Sequence, residues 1–385
     1  MADGRLRAPN PHFPAFLFFA TPVVVDAEET RRHATSADPW SKEWLSNNVA
    51  GFGPYSLVEC SDDRMVMRAR DDYWDGLPPV REVAIELVES RADAIRQLDG
   101  PDPVMLPGLR CDEIVGVRTK PNVTLVSSWA GHTSLEIDYH RPPFDDIRVR
   151  HAMSFATPYD EVLERGFLGL ARPWRSGVKT FASWYTDEDW PYETDAARAK
   201  TLMAEAGYAD GFTTDLYVEQ RPDLLRVAEI LQRAYGEIGI AVQLEDLDTA
   251  PPWWMPPLHL RTECSHILTE PLYDLAHDYA PMNPILPAPG GRVGVRSWHP
   301  RYAGDRQIED MFRDALVAES SDQRRERCIE LQKHIVRFAP NVFLAETPQF
   351  HATNDHAHPW ARDYRNRLVQ LTLWADSNSH YLPRH

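Results

Sequence analysis

In REVAIELVE, Val83, Ile85 and Leu87 recur at every second position with Glu82, Ala84 and Glu86 on the other face, the period of a strand with one buried face. Upstream, the glycines and proline of AGFGPYSLVE make a turn before a strand that begins near Tyr55. SDDRMVMRAR then supplies a polar turn and a second strand, which predicts a hairpin. Ser90 with Asp93 can open a short helix that runs to Leu98. NVTLVSSW and TSLEIDY read as two further strands. Residues 12–48 give an apolar extended piece, a charged helix near Ala27 to Ala34, and a loop holding Trp40 and Trp44. Up to Tyr139 the chain is therefore expected to be mostly sheet.

The period changes after RPPFDDIRVRHA. Asp145 or Asp146 can cap a helix whose Val149, Ala152, Met153 and Ala156 share one face. A second helix is predicted from about Thr194 to Ala206, with Ala197, Leu202 and Met203 inward and Gly207 as a left-handed cap. DGFTTDLYVEQ reads as a strand, RPDLLRVAEILQRAYGEIG as an amphipathic helix ended by Gly239, and IAVQLEDLD as another strand. Such alternation predicts a mixed or parallel sheet covered by helices, an α/β class. Two more helices follow, one near Asp305 to Ala318 with Ile308, Met311, Phe312 and Ala315 on one side, the other with Cys328, Ile329, Leu331, Ile335 and Phe338 inward. NVFLAETPQF returns as a strand, and the last forty residues read as sheet and turn. A helix-and-strand block is thus inserted in a sheet-rich one, which makes the two crossings a natural hinge, the first of them at Arg141 to Asp146.

At 385 residues, 43% hydrophobic and 10% aromatic, the chain can fill more than one core. A formal charge of −17 argues against a nucleic-acid partner, because such binding depends on releasing counterions from a Lys/Arg surface. Cys60, Cys111, Cys264 and Cys328 are scattered and form no C-x-x-C, so four buried free thiols are the plainer reading. The N-terminal run has Arg5 and Arg7 ahead of apolar residues, but Pro9, Pro11, Pro14 and Pro22 interrupt the helix that an export signal needs. No segment approaches the ~20 apolar residues of a membrane span.

The sequence contains no G-x-S-x-G, H-E-x-x-H, Walker loop or complete G-x-G-x-x-G. His351, His356 and His358 in HATNDHAHP are closest to a metal set, yet no carboxylate or thiolate stands at ligand spacing, so surface histidines are favoured and no metal or cofactor is expected. Aromatic residues crowd two stretches: Trp174, Trp184, Tyr185 and Trp190 in one, Trp253, Trp254, Tyr279 and Trp298 in the other. They either line a ligand or plug the core beneath long loops.

AGFGPYSLVE, ARDDYWDGLPPV, RPPFDDIRVRHAMSFA, YETDAARAKTLMAEAGYADGF and AYGEIGIAVQLEDLD, in that order, resemble the extracytoplasmic solute-binding proteins of ABC importers, family 5, which bind di- and oligopeptides, nickel chelates and related solutes. The resemblance extends over roughly residues 10 to 350. It implies a two-lobed periplasmic-binding-protein-like fold (type II, cluster C) hinged between lobes, a non-enzymatic role, a small peptide or similar solute as ligand, a membrane ABC permease as partner, and a monomer outside the cytoplasm. Residues 1–48 would be a remnant of the small subdomain of the first lobe, 49–140 and 346–385 its two segments, and 141–345 the second lobe. Family members carry an export signal and well over a hundred residues ahead of this region. An incomplete first lobe is therefore expected, either from a start further upstream or in a shortened, cytoplasmic relative. The aspartate that pairs with a peptide's α-ammonium in such proteins matches Asp278 in LAHDYAPMNP, with Asp274 a rival, while Ala276 and His277 offer backbone groups to the peptide. Tyr279, Trp253, Trp254 and Trp174 complete the expected ligand-binding set. The alternative is a cytosolic enzyme or ligand sensor that has reused the fold.

Overall fold

The computed structural model describes residues 25–78, 80–249, 256–264 and 306–357, with Leu275 and the pair His380–Tyr381. Helix α1 (Ala27–Arg32) starts where Asp26 accepts the backbone N–H groups of Glu28 at 2.8 Å and Glu29 at 3.2 Å, and a single turn, α2 (Lys42–Leu45), follows. Strands β1 (Tyr55–Cys60), β2 (Arg64–Ala69) and β3 (Glu82–Glu86) form an antiparallel sheet, with Leu57 opposite Met67 and Met67 opposite Val83. The strand expected over REVAIELVE is present, but it is not half-buried at its end: Ile85 is 54% exposed and Leu87 80%. Among the described residues, apolar packing on that side gathers around Tyr55 and Val80, with Met67, Ala69 and Val83 against them, and stops short of Ile85.

Next come α3 (Arg91–Gln97), capped as expected by Ser90 on the Asp93 N–H at 3.1 Å, β4 (Met105–Leu109) and α4 (Cys111–Val117). Strand β5 (Val123–Ile137) is one continuous element where two were predicted. Gly131 does not break it, because the ladder to a later strand begins there, Gly131 opposite Cys264, and runs to Ile137 opposite Leu258. Helix α5 (Ile147–Ala156) is capped by Asp146 on the Arg148 N–H at 2.8 Å. A helical turn at Tyr159–Glu161 widens into a π turn over Val162–Gly166, and β6 (Arg172–Pro173) is a two-residue strand. Then follow α6 (Ala196–Glu205), β7 (Phe212–Val218), α7 (Pro222–Gly236), β8 (Ile240–Asp246), β9 (Leu258–Cys264), α8 (Arg306–Leu316), α9 (Ser321–Phe338), β10 (Asn341–Asn354) and β11 (His380–Tyr381).

The larger sheet has the order β4-β10-β5-β9-β7-β8, with β6 on β10 and β11 on β5. It is mixed, as the alternation of helix and strand implied: β7 runs parallel to β8 and β9, while β5 and β9 are antiparallel. The chain divides into two units. One takes in Leu109–Gly116 and Ser127–Phe350; the other takes in the described residues up to Gly108, Val117–Val126, and those from His351 onward. The divisions among the described residues fall inside β4, α4, β5 and β10. The junction Arg141 to Asp146 lies within the first unit, where Phe144 is 1% exposed.

The core of the first unit sets helices against the sheet. Val149, Ala152 and Met153 of α5, Val227 and Leu231 of α7, and Leu216, Leu258 and Leu260 of the strands are fully buried. On α6 the inward residues are Ala199 and Met203, whereas Ala197 is exposed. The cap explains the phase: Asp195 accepts the Arg198 N–H at 2.9 Å, and the inward stripe then recurs at i, i+4 from Ala199. Gly211 and Gly239 meet where β7 and β8 begin, and a Cβ on Gly211 would lie 1.9 Å from the Gly239 carbonyl oxygen. Cys111 and Cys328 are buried free thiols, but Cys60 is exposed; it stands opposite Met65 beside the turn of the β1–β2 hairpin.

Candidate functional site

In the first unit, the pairing of β6 with β10 places two charges side by side. Arg172 is opposite Glu346 in the ladder, and its Nε donates to Glu346 Oε2 at 2.5 Å. Glu346 is 0% exposed, so its charge must be fully compensated. The rest comes from Thr180, which donates through its backbone N–H to Oε1 and through Oγ1 to Oε2 at 2.8 Å. The guanidinium carbon of Arg172 lies 4.2 Å from the centroid of the Trp129 ring on β5, a cation–π contact that fixes the indole as well.

The loop after β6 is held at a second point by Gln332 of α9, also 0% exposed. Its Oε1 accepts from Ser176 Oγ at 2.9 Å and the Thr186 N–H at 3.2 Å, while its Nε2 donates to the Trp184 carbonyl at 2.8 Å and the Cys328 carbonyl at 3.2 Å. All four hydrogen-bonding positions of the amide are used. Between these pins Ser176, Gly177, Val178 and Lys179 are buried. Burial makes an unpaired polar side chain costly, and Lys179 is 2% exposed with no hydrogen-bond partner at its Nζ. The nearest described ring is that of Phe181, with its centroid 5.9 Å from Nζ.

Trp174 is the one member of the expected ligand-binding set within the described residues. It is 1% exposed, donates from Nε1 to the Val178 carbonyl at 2.9 Å, and sets its ring against Phe343 at 4.9 Å and His132 at 4.2 Å. Trp184, Tyr185 and Trp190 are partly buried against the same core. Burial pushes the Tyr185 hydroxyl well above its ordinary range, with the Asp187 charge adding to the effect. Asp278, Ala276, His277, Tyr279, Trp253 and Trp254 lie outside the described residues. So does His358; His351 is buried in β10, and His356 is exposed in the turn that follows. Among the described residues no cluster of His, Cys, Asp or Glu is arranged to hold a metal.

A second polar group lies on the same sheet. Glu136 of β5 accepts from Arg261 Nη1 at 3.3 Å and lies 3.6 Å from His259 Nδ1, both on β9. The sequence reading missed Arg172, Lys179, Thr180, Gln332 and Glu346. For Glu346 a signal existed, a lone carboxylate in the otherwise apolar run VFLAE of a buried strand. A charge there is affordable only when paired.

The sheet order, the helices on it and the chain crossings define a protein of the periplasmic-binding-protein fold. The chain is similar to the periplasmic binding protein DppA of Helicobacter pylori, solved in complex with the peptide STSA, with a TM-score of 0.74 at 18% identity over 91% of this chain and 67% of that one. It belongs to the bacterial extracellular solute-binding proteins, family 5: the profile of that family's middle region matches residues 5–282. Among curated relatives, heme-binding protein A of Haemophilus influenzae is 26% identical over 51% of this chain, and di/tripeptide-binding protein 2 of Pseudomonas aeruginosa is 27% identical over 80%. The matched regions span 38% and 58% of those relatives' lengths. Each of them is a binding protein, not an enzyme. No helix among the described residues is long and apolar enough to cross a membrane.

Proposed function

We propose that this chain binds a short peptide or a similar small solute outside the cytoplasm, as a monomer, and delivers it to an ABC permease. The family match over residues 5–282 carries the reading. Asp278 pairs with the solute's ammonium group, Ala276 and His277 supply backbone hydrogen bonds, and Tyr279, Trp253 and Trp254 supply aromatic surface. Two of the strands that carry the chain between units, β5 and β10, act as the hinge. Shifting an open–closed equilibrium requires a ligand with different affinities for the two states.

A carboxylate–ammonium hydrogen bond shielded from water is worth about 1.5–3 kcal/mol, against about −8 kcal/mol for micromolar affinity, so aromatic burial and closure supply the larger share. The test is a thermal-shift and calorimetric screen of di- and tripeptides. Binding that weakens about 10- to 100-fold in Asp278→Ala supports the reading. A melting curve indifferent to the whole panel overturns it.

A further inference from the structure

We infer that Lys179 is an anion-accepting point in the first unit and that the solute's carboxylate is what it accepts. The inference deepens the proposed function and rests on it for the identity of the ligand.

The argument begins with charge balance. Arg172 is neutralised by Glu346, which is in turn filled by Thr180. Arg175 is exposed to water. Among the described residues, Lys179 is buried with no hydrogen-bond partner and no ion pair at its Nζ. An uncompensated buried ammonium is unfavourable, and chains keep one where something else completes it.

The surroundings are firm. Trp174 holds the Val178 carbonyl, Gln332 holds Ser176, and Glu346 holds Thr180, so the residues on both sides of Lys179 are fixed and the ammonium does not have to be gathered into place when a ligand arrives. The next two residues, Thr180 and Phe181, are only half-buried, which puts the protein surface one residue away. The chemistry also selects the anion. A phosphate needs several donors to replace its water, whereas a single ammonium beside Val178 and Phe181 suits one carboxylate.

The test compares wild type with Lys179→Met and Lys179→Gln, two neutral variants that keep the length of the stem. Melting temperatures are measured without ligand, then with acetate and with inorganic phosphate. Calorimetry follows with the dipeptide Ala-Ala and its C-terminal amide. We expect the ligand-free variants to melt at or above wild type, because a stranded charge has been removed. Acetate, but not phosphate, should raise the melting temperature of wild type alone. The wild type should prefer Ala-Ala to its amide by about 10-fold or more, and the preference should fall below about 2-fold in both variants.

If no dipeptide binds but acetate still separates wild type from the variants, the peptide reading fails and the Lys179 assignment stands. Variants that melt well below wild type while keeping the preference for a free carboxylate overturn the assignment, as does acetate acting equally on all three proteins. Stabilisation by phosphate rather than acetate overturns the choice of carboxylate.

Discussion

Arg150 donates through Nε to the carbonyl of Ala339 at 3.0 Å, a bond between residues 189 positions apart. The same guanidinium reaches the Phe338 carbonyl at 2.8 Å and the Phe144 carbonyl at 2.9 Å, and lies over the rings of Tyr139 and Phe338. It thereby satisfies the C-terminal carbonyls of α9, at a position where Ala339 takes a left-handed φ of 48°. Arg150→Met should leave these buried carbonyls without donors and cost about 3 kcal/mol in urea unfolding, and Arg150→Lys should recover only part of that, because one ammonium cannot span the three acceptors.

Glu346 ties the loop after β6 to β10. Glu346→Gln keeps the shape but leaves Arg172 without a counter-charge, and stability should fall by about 2–4 kcal/mol. The Arg172→Met/Glu346→Gln pair should lose less than the sum of the single changes. Emission from Trp129 offers a local readout, since its ring is covered by Arg172.

His351 is 4% exposed, and burial lowers its pKa to about 4. In the folded chain it stays neutral, while in the unfolded chain it takes a proton near pH 6.5. Its contribution is therefore complete above pH 6.5, is lost as the pH falls towards 4, and levels off below that. Comparing wild type with His351→Phe by denaturant unfolding between pH 7 and pH 4 should show a difference that changes by about 3 kcal/mol at most.

Two glycines with similar backbone angles should respond differently to alanine. Gly211 has φ +75° and its added methyl would collide with the Gly239 carbonyl, whereas Gly207 has φ +88° with nothing within 4 Å. Gly207→Ala should cost about 1–2 kcal/mol of backbone strain alone. Gly211→Ala should cost clearly more, because β7 and β8 must separate, and thermal melts of the two variants give the comparison.

The helical half of the chain was readable because its periodicity and caps agree: Asp146, Ser90 and Gly207 act as the sequence suggests, and Val149, Ala152 and Met153 face inward. On α6 the composition named the helix, but Ala197 and Ala199 are equally small, and only the cap at Asp195 chooses between them. Ile85 and Leu87 misled because alternation reports a strand with two unlike faces, not whether anything covers the apolar one. The union of NVTLVSSW and TSLEIDY into β5 was hidden by Ala130 and Gly131, which look like a turn until a partner strand holds them. Lys179 left no trace in the sequence at all, since an unpaired charge is a relation among distant residues.

The second unit is assembled from three separate stretches of chain, and the last fastens the other two: Asn354 Oδ1 accepts the Val104 N–H at 3.1 Å, its Nδ2 donates to the Asp102 carbonyl at 2.6 Å, and the Asp355 N–H donates to the Asn122 carbonyl at 2.9 Å. During synthesis at ~5–20 residues per second, the earliest segment must therefore wait tens of seconds for its closing strand. Through that interval β4 stands without β10, its neighbour in the larger sheet. An unpaired strand edge is an aggregation hazard, and a holdase acting on the nascent chain would shield this one until β10 is made.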